Sequence, residues 1–170
     1  MKLAFLKETS PDLRRPAEVF DFANPPCDPI ELAVELSEIM IKHNGFGLAA
    51  PQMGIPYSVF VVGDPENKES IMAFFNSSIV NYSEEEETSK EVCLSFPKLY
   101  IPIKRSTKIR MRFTDLYNET TTNTYAGFTA RAIQHEYDHV LGVVFTSKAI
   151  SYHLVKARKD QKLALRRRKN

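Results

Sequence analysis

The stretch Gln134-His135-Glu136-Tyr137-Asp138-His139 decides how the rest of this chain is organised. If residues 128–140 form a helix, His135 and His139 lie one turn apart on the same face, and each can offer an imidazole nitrogen to a single metal ion. Glu136 is rotated by about 100° around that helix, so it stays out of direct coordination but can move the protons of a water molecule on the metal. The pattern therefore predicts half of a metal site on a central helix.

Two histidines need a third ligand, and the sequence offers few candidates. Zinc proteases with a His-Glu-x-x-His pattern take theirs from a downstream His or Glu, but the only later histidine, His153, lies in no such pattern. The upstream stretch Glu91–Ser95 supplies Cys93 instead. A thiolate with two neutral imidazoles would leave a divalent ion one net positive charge and an open position for water, which is a catalytic arrangement. The alternative is a helix whose histidines only pack or face solvent.

Length and composition are those of an ordinary globular domain. The chain has 170 residues, of which 43% are hydrophobic and 26% charged, and we expect a single domain over residues 1–170. The formal charge of +2 hides an acidic run, Glu84–Glu87, and a basic end, Arg166–Lys169, which we interpret as solvated surface. No segment resembles a secretory signal or a membrane span, so we expect Cys27 and Cys93 to be thiols in a cytoplasmic protein.

Hydrophobic periodicity and turn residues predict the local structure. A helix should run from Pro29 to His43, with Asp28 as its N-cap and Asn44-Gly45 at its end. The other expected elements, in chain order, are an extended segment over 1–27, a glycine-rich loop at 45–52, a strand at 57–62, an exposed loop at 64–70, two short strands within 71–82, an exposed loop at 84–87, an extended segment around Cys93, strands at 107–113 and through Tyr125, a metal helix ended by Gly142, and a basic C-terminal helix from about 147 to 170.

Three motifs in a fixed order resemble those of the peptide deformylases. That family carries Gly-x-Gly-Leu/Ile-Ala/Ser-Ala-x-Gln, Glu-Gly-Cys-Leu-Ser and Gln-His-Glu-x-Asp-His, which correspond here to Gly45–Gln52, Glu91–Ser95 and Gln134–His139. Pro11–Arg14 and Leu141-Gly142 extend the resemblance over most of the chain.

The chain departs from the family pattern at two positions. Val92 stands where a glycine usually precedes the cysteine; it adds bulk that could narrow the substrate groove, but it removes no ligand. Lys98 stands where a glycine or an acidic residue is common.

The resemblance implies a metal-dependent hydrolase that removes the N-formyl group from the N-terminal formyl-methionine of newly made polypeptides and releases formate. Glu136 would be the general base and acid, while the Gln52 side-chain amide and the Leu94 backbone N–H would stabilise the oxyanion. Cys93, His135 and His139 would bind one divalent ion. Ferrous iron is favoured, with nickel, cobalt and zinc as alternatives.

Further expectations come with the family. Its fold is α+β, with small antiparallel sheets around a central metal helix, an N-terminal helix and a C-terminal helix. Asp138 would orient a supporting residue, for which we suggest Arg105. The alternative for Phe128 and Ala132 is that they only pack in the core. The implied substrate contacts are Gly45, Phe46, Gly47, Glu91, Phe128 and Ala132.

Two other functions compete with this interpretation. One is a His-Glu-x-x-His endopeptidase, which Cys93 and the missing downstream ligand disfavour. The other is a binding protein dominated by the basic segment from Lys156 to Lys169, which could engage phosphates in a salt-dependent way. Because a C-terminal helix can dock on the ribosome within the family, we hypothesise that this segment localises the enzyme there. We expect a monomer that acts on formyl-methionyl nascent peptides and has no membrane partner.

Overall fold

The computed structural model describes residues 4–166 and begins with a largely extended segment. This segment was predicted to be extended throughout, but Pro11–Arg14 form a 3-10 turn, and Leu13 within it is fully buried. Helix α1 (Pro29–Lys42) follows and confirms the predicted N-terminal helix. The Asp28 side chain accepts hydrogen bonds from the backbone N–H groups of Ile30 at 2.8 Å and Glu31 at 3.0 Å, as an N-cap should.

Seven strands lie within the described residues: β1 (Gly47–Ala49), β2 (Val59–Asp64), β3 (Asn67–Tyr82), β4 (Glu86–Cys93), β5 (Phe96–Ser106), β6 (Lys108–Thr114) and β7 (Thr120–Ala126). They form a five-stranded sheet of order β1-β2-β3-β6-β7 and a separate β4–β5 hairpin, and every pair is antiparallel. Together with the helices, these two sheets confirm the predicted α+β class.

Strand β3 differs from the prediction of two short strands within 71–82. It is one strand, and its pairing with β6 shifts register between Phe75 and Ser78. Asn76 lies in this bulge with a φ of +47°. Its side chain accepts a hydrogen bond from the Phe20 N–H at 2.8 Å and donates one to the Phe20 carbonyl at 2.9 Å. The polar residues around Asn76 are typical of a turn, but here they form a bulge within one strand. This bulge anchors the N-terminal segment through Phe20.

Both predicted exposed loops are shorter than expected, because strands extend into them. Asp64 still belongs to β2 and Asn67 already begins β3, so the predicted loop at 64–70 is a tight hairpin. The acidic run is exposed as predicted, but Glu86 already belongs to β4. Its carboxylate forms an ion pair with Lys104 on β5, and such cross-strand pairs of opposite charge stabilise antiparallel sheets.

Helix α2 (Gly127–Val140) contacts both the five-stranded sheet and strand β5. It therefore lies between the two sheets, as the central metal helix was predicted to do. Gly142 follows its end with a φ of +72°, a left-handed conformation that commonly terminates helices. A Cβ on Gly142 would also lie 2.7 Å from the backbone carbon of Arg15, so the N-terminal segment packs directly over the helix end.

Helix α3 (Ser151–Arg166) is packed on the domain. It starts later than the predicted residue 147, because Phe145–Lys148 form a separate 3-10 turn. Ala157 is buried, and the Gln161 side chain donates a hydrogen bond to the Pro97 carbonyl at 2.9 Å. The rest of the predicted basic end, 167–170, lies outside the described residues. Between residues 4 and 166, no helix is long and apolar enough to cross a membrane.

Candidate metal centre

Three buried donor residues meet at the end of β4 and the C-terminal half of α2. Cys93 is the last residue of β4, and His135 and His139 lie one turn apart on α2. Their donor atoms all lie within 4.8 Å of one another, and the Cys93 sulfur is 3.2 Å from Nε2 of His139. The fold thus brings together the three residues that the sequence predicts as ligands, and they can hold one metal ion.

The chemistry of this cluster fits a divalent metal. One thiol and two imidazoles are the donors that zinc and first-row transition metals take in proteins. Burial lowers the pKa of His139 well below its ordinary value, so its imidazole is neutral, which is the form that binds a metal. Oε2 of Glu136 and Nδ1 of His139 are buried without a hydrogen-bond partner among residues 4–166. The Glu136 oxygen is an unpaired buried atom of the kind that a water on a bound ion would satisfy, whereas the His139 nitrogen that faces Cys93 is Nε2 and not the unpaired Nδ1.

A buried ionic network supports His135 from behind. Nδ1 of His135 donates to Oε2 of Glu91 at 2.9 Å, which directs the other ring nitrogen toward the cluster. Arg105 donates to both Glu91 oxygens, at 2.6 and 2.9 Å, and to Oδ2 of Asp138 at 2.7 Å. Arg131 adds a bond to Oε1 of Glu91 at 2.9 Å. The predicted contact between Arg105 and Asp138 is therefore confirmed.

Glu91, predicted as a substrate contact, lines the cavity, and its carboxylate is held by other side chains. Its side chain is 5% exposed, and both of its oxygens accept hydrogen bonds from other side chains. Burial opposes its ionisation, but the hydrogen bonds from Arg105 and His135 hold the pKa of this carboxyl well below its ordinary value. A fixed, fully engaged carboxylate can orient a metal ligand, and the substrate contact of Glu91 stays a prediction.

Glu136 projects from α2 against the glycine-rich segment. A Cβ built on Gly47 would lie only 2.5 Å from Oε1 of Glu136, so the carboxylate occupies the space that a side chain there would need. Burial raises the pKa of Glu136 to about 7. A carboxyl with a pKa near neutrality can both accept and release a proton under physiological conditions.

Gln52 is fixed with its amide nitrogen toward Cys93. It is 1% exposed, and its Oε1 accepts a hydrogen bond from the Ala49 N–H at 2.8 Å, which sets the orientation of the amide. Nε2 donates to Oγ of Ser95 at 3.2 Å and lies 3.5 Å from the Cys93 sulfur. The predicted loop around it is a short strand, β1, followed by a 3-10 turn over Ala50–Met53.

A cavity of about 270 Å³ opens in front of these groups. The rings of Phe46 and Phe128 meet edge to face at its mouth with centroids 4.9 Å apart. Phe128 is 60% exposed, which excludes the core-packing alternative for it, while Ala132 lines the cavity and also belongs to the core. The cavity wall includes the sequence-predicted residues Gly45, Phe46, Gly47, Gln52, Glu91, Cys93, Leu94, Phe128, Ala132, His135 and Glu136.

Two further residues of the cavity wall, Lys90 and Arg131, did not stand out in the sequence, whereas Val92 was expected to narrow the substrate groove. Arg131 precedes His135 by one helical turn, so helical spacing from the histidine could have indicated it. Lys90 and Val92 alternate with the buried Glu91 and Cys93 along β4, and Val92 is 52% exposed. Val92 lies where the pairing of β4 with β5 shifts register. A β-branched residue therefore replaces the family's glycine at a rim position without displacing a ligand.

A family model and two curated relatives show the family of this chain. A family model described as polypeptide deformylase matches residues 3–154. Peptide deformylase 1 of Clostridium perfringens is 42% identical over 134 residues, which cover 78% of this chain and 88% of that protein. The peptide deformylase of Christiangramia forsetii is 33% identical over 165 residues, 89% of this chain and 83% of that protein.

Solved structures agree. The peptide deformylase of Plasmodium falciparum superimposes with a TM-score of 0.86 at 28% sequence identity, covering 98% of this chain and 97% of that one. A class I type b peptide deformylase from Acinetobacter baumannii, solved with Met-Ala-Ser bound, has a TM-score of 0.79 at 25% identity and covers 87% of this chain and 98% of that one.

Proposed function

The chain belongs to the peptide deformylase family, metal-dependent enzymes that remove the N-formyl group from newly made polypeptides, and we propose that it does so with the residues of this metal centre. One observation carries the assignment of roles: Cys93, His135 and His139 meet at a cavity that Glu136 and Gln52 also line.

In this proposal the three donor residues hold one divalent ion, with ferrous iron the favoured metal and nickel, cobalt or zinc as alternatives. The bound ion supplies Lewis-acid activation of water and of the formyl carbonyl. Two features of the chain hold the histidines in a form that can bind a metal. Glu91 keeps His135 oriented, and burial keeps His139 neutral. The Cys93 thiolate is the oxidation-sensitive member of the set, so we expect the iron form to lose activity in air.

Glu136 moves the protons of the reaction. It accepts a proton from the attacking water and later delivers it to the departing amine nitrogen, and its pKa of about 7 suits both steps. The Gln52 side-chain amide and the Leu94 backbone N–H donate hydrogen bonds to the developing oxyanion. Loss of one such donor typically costs roughly 2.7 to 4 kcal/mol of transition-state stabilisation.

The peptide binds along the glycine-rich segment as an added strand. Strand β1 is at the edge of the five-stranded sheet, so its outer side can pair with an extended peptide beside Gly45 and Gly47. The methionine side chain enters the apolar part of the cavity, between Phe46, Phe128 and Ala132. The Met-Ala-Ser bound to the Acinetobacter baumannii relative is a peptide of the kind that this cavity would hold after deformylation.

The cellular setting belongs to the same proposal. We infer a cytoplasmic monomer that meets nascent chains at the ribosome, with the cations of α3 contacting ribosomal RNA phosphates. The exposed cations of this helix include Lys156, Lys159, Lys162 and Arg166.

Formate release from a formyl-methionyl peptide tests the reaction and the base together. Anaerobic protein loaded with ferrous iron or nickel should release formate, and Glu136→Gln should reduce the rate by roughly 10²- to 10⁴-fold while the metal content stays unchanged. The same peptide without the formyl group serves as the control, because an endopeptidase would cleave it internally. Wild-type protein that holds metal but releases no formate would contradict the proposal.

A further inference from the structure

A second cleft, of about 440 Å³, lies between the β4–β5 hairpin and α3. Lys90 and Lys98 of the hairpin and Lys156 of α3 line it, and all three side chains are exposed. None of these lysines belongs to an ion pair of the described residues. Asp160 is the acidic residue on the wall, so this lysine cleft has an excess of positive charge.

The lysine cleft adjoins the catalytic cavity. Lys90 lines both, and it stands three positions before the metal-site residue Cys93 on β4. Residues along a strand are spaced by about 3.3 Å, so Lys90 lies roughly 10 Å from Cys93 along β4. An extended peptide that leaves the metal centre in this direction reaches Lys90 after about three residues.

The backbone at Lys98 provides an independent observation. Its φ is +61°, a left-handed conformation that costs conformational energy for any residue with a Cβ and that glycine adopts freely. A lysine is thus held at a position better suited to glycine, on the wall of the same cleft. Such strain in an ordered structure points to a functional requirement for the side chain.

We propose that the lysine cleft is a subsite for acidic side chains of the substrate, at about the third to fifth residues of the formylated peptide. It rests on the proposed function and extends it to the residues after methionine. The ammonium groups of Lys90 and Lys98 pair with the carboxylates, and Tyr100 and His153 on the wall can add hydrogen bonds. The position of Lys90 on both cavities favours a peptide over RNA, because a peptide in the catalytic cavity passes it directly.

The test compares two formylated peptides that differ in charge alone, formyl-Met-Ala-Asp-Asp-Ala and formyl-Met-Ala-Asn-Asn-Ala. At low ionic strength we expect wild-type kcat/KM to be about five-fold higher for the acidic peptide, since exposed ion pairs are individually weak and salt-screened. In Lys90→Gln/Lys98→Gln this ratio of kcat/KM values should fall to about one. Lys108→Gln/Arg112→Gln removes the same charge from exposed positions of β6 and should keep the wild-type ratio.

Fluorescence anisotropy of the two deformylated products measures the ratio of their binding affinities, which needs no turnover. It decides the proposal even if formate release, and with it the proposed function, fails. Lys90→Gln alone is the second variant if the double variant does not fold.

Equal kcat/KM and equal affinity for both peptides in wild type would overturn the proposal, as would a ratio that survives in the double variant. A double variant that loses affinity for a single-stranded RNA oligonucleotide, while the peptide ratio is unchanged, would also overturn it and identify an RNA surface instead.

Discussion

At the scale of single residues, Glu136 takes up the space that a side chain at position 47 would need. A Cβ at position 47 would lie only 2.5 Å from Oε1 of Glu136. Gly47 belongs to the short strand β1 and Glu136 to α2, so the glycine sets how closely strand and helix approach. The position of the proposed base therefore depends on a residue that has no functional group of its own.

Gly47→Ala should displace Glu136 without removing it. We expect formate release to fall by about 10²-fold, the cost of a misplacement of about 1 Å in an active site, while the metal content stays at the wild-type value. Gly45→Ala is the comparison: its Cβ would lie closest to the flexible end of the Leu94 side chain, at 2.9 Å, so we expect a smaller loss. Equal activity of Gly47→Ala and wild type would show that Glu136 does not need this position.

From the sequence we predicted which donor residues come together and the contact between Arg105 and Asp138, but not the contacts of Glu91. His135, Glu136 and His139 share one helix, so their geometry follows from local spacing. The partners of Glu91 are distant in sequence: Arg105 lies 14 positions later and Arg131 lies 40 positions later. Local sequence patterns do not indicate such contacts. For this reason the sequence did not indicate that the Glu91 carboxylate supports His135.

At the scale of elements, the ionic network joins helix α2 to the β4–β5 hairpin. Glu91 lies on β4, Arg105 on β5, and Arg131 and Asp138 on α2. The cysteine ligand comes from the hairpin and both histidine ligands come from the helix. The network therefore fixes the distance between the two halves of the metal centre.

Arg105→Ala should damage both the fold and the metal centre. Its side chain is 3% exposed and compensates two buried carboxylates, and removal of one partner of a buried pair typically costs about 3–5 kcal/mol of unfolding free energy. Metal affinity should fall roughly 10- to 100-fold, as for other lost supports of metal ligands. Denaturant unfolding and metal titration measure the two effects, with Arg112→Ala on exposed β6 as control. Retained metal affinity in Arg105→Ala would argue against this positioning role.

Helices could be predicted from the sequence more reliably than strands, for a physical reason. The N-cap of α1 and the left-handed Gly142 after α2 are local features that the sequence displays directly. Strand β3 was divided in the prediction because Asn76 has turn chemistry, yet its side chain satisfies the Phe20 backbone instead of reversing the chain. Only the tertiary partner distinguishes a bulge from a turn.

At the scale of the whole molecule, α3 is packed on the domain and also carries several exposed cations. Ala157 and Gln161 face β5, and Arg158 forms an ion pair with Glu8 of the N-terminal segment at 3.0 Å. Deletion of residues 156–170 would therefore remove packing as well as charge. A ribosome-binding test needs substitutions that leave the buried side of the helix intact.

Lys159, Lys162 and Arg166 are exposed and share one helical face, so their replacement by glutamine should preserve the fold. If α3 contacts RNA phosphates, co-sedimentation of this triple variant with ribosomes should weaken markedly at low salt, and wild-type binding should fall steeply as salt is raised. Formate release from a short peptide should remain at the wild-type rate and serves as the control. Undiminished co-sedimentation of the variant would remove α3 from the proposed ribosome contact.

Metal removal tests whether the centre also supports the molecule as a whole. The ligands come from two separate elements, so a bound ion joins the hairpin to α2 in the folded chain alone and should stabilise that state. An ion present at about 100 times its Kd adds about 2.7 kcal/mol, which corresponds to roughly 5–10 °C in Tm for a chain of this size. Thermal unfolding of the wild type with and without a chelator measures this shift. The Tm of Cys93→Ser should differ much less between the metal-loaded and chelated states. An identical Tm for metal-loaded and chelated wild type would mean that the three residues do not hold the ion tightly, because any ligand that binds only the folded state must raise its melting temperature.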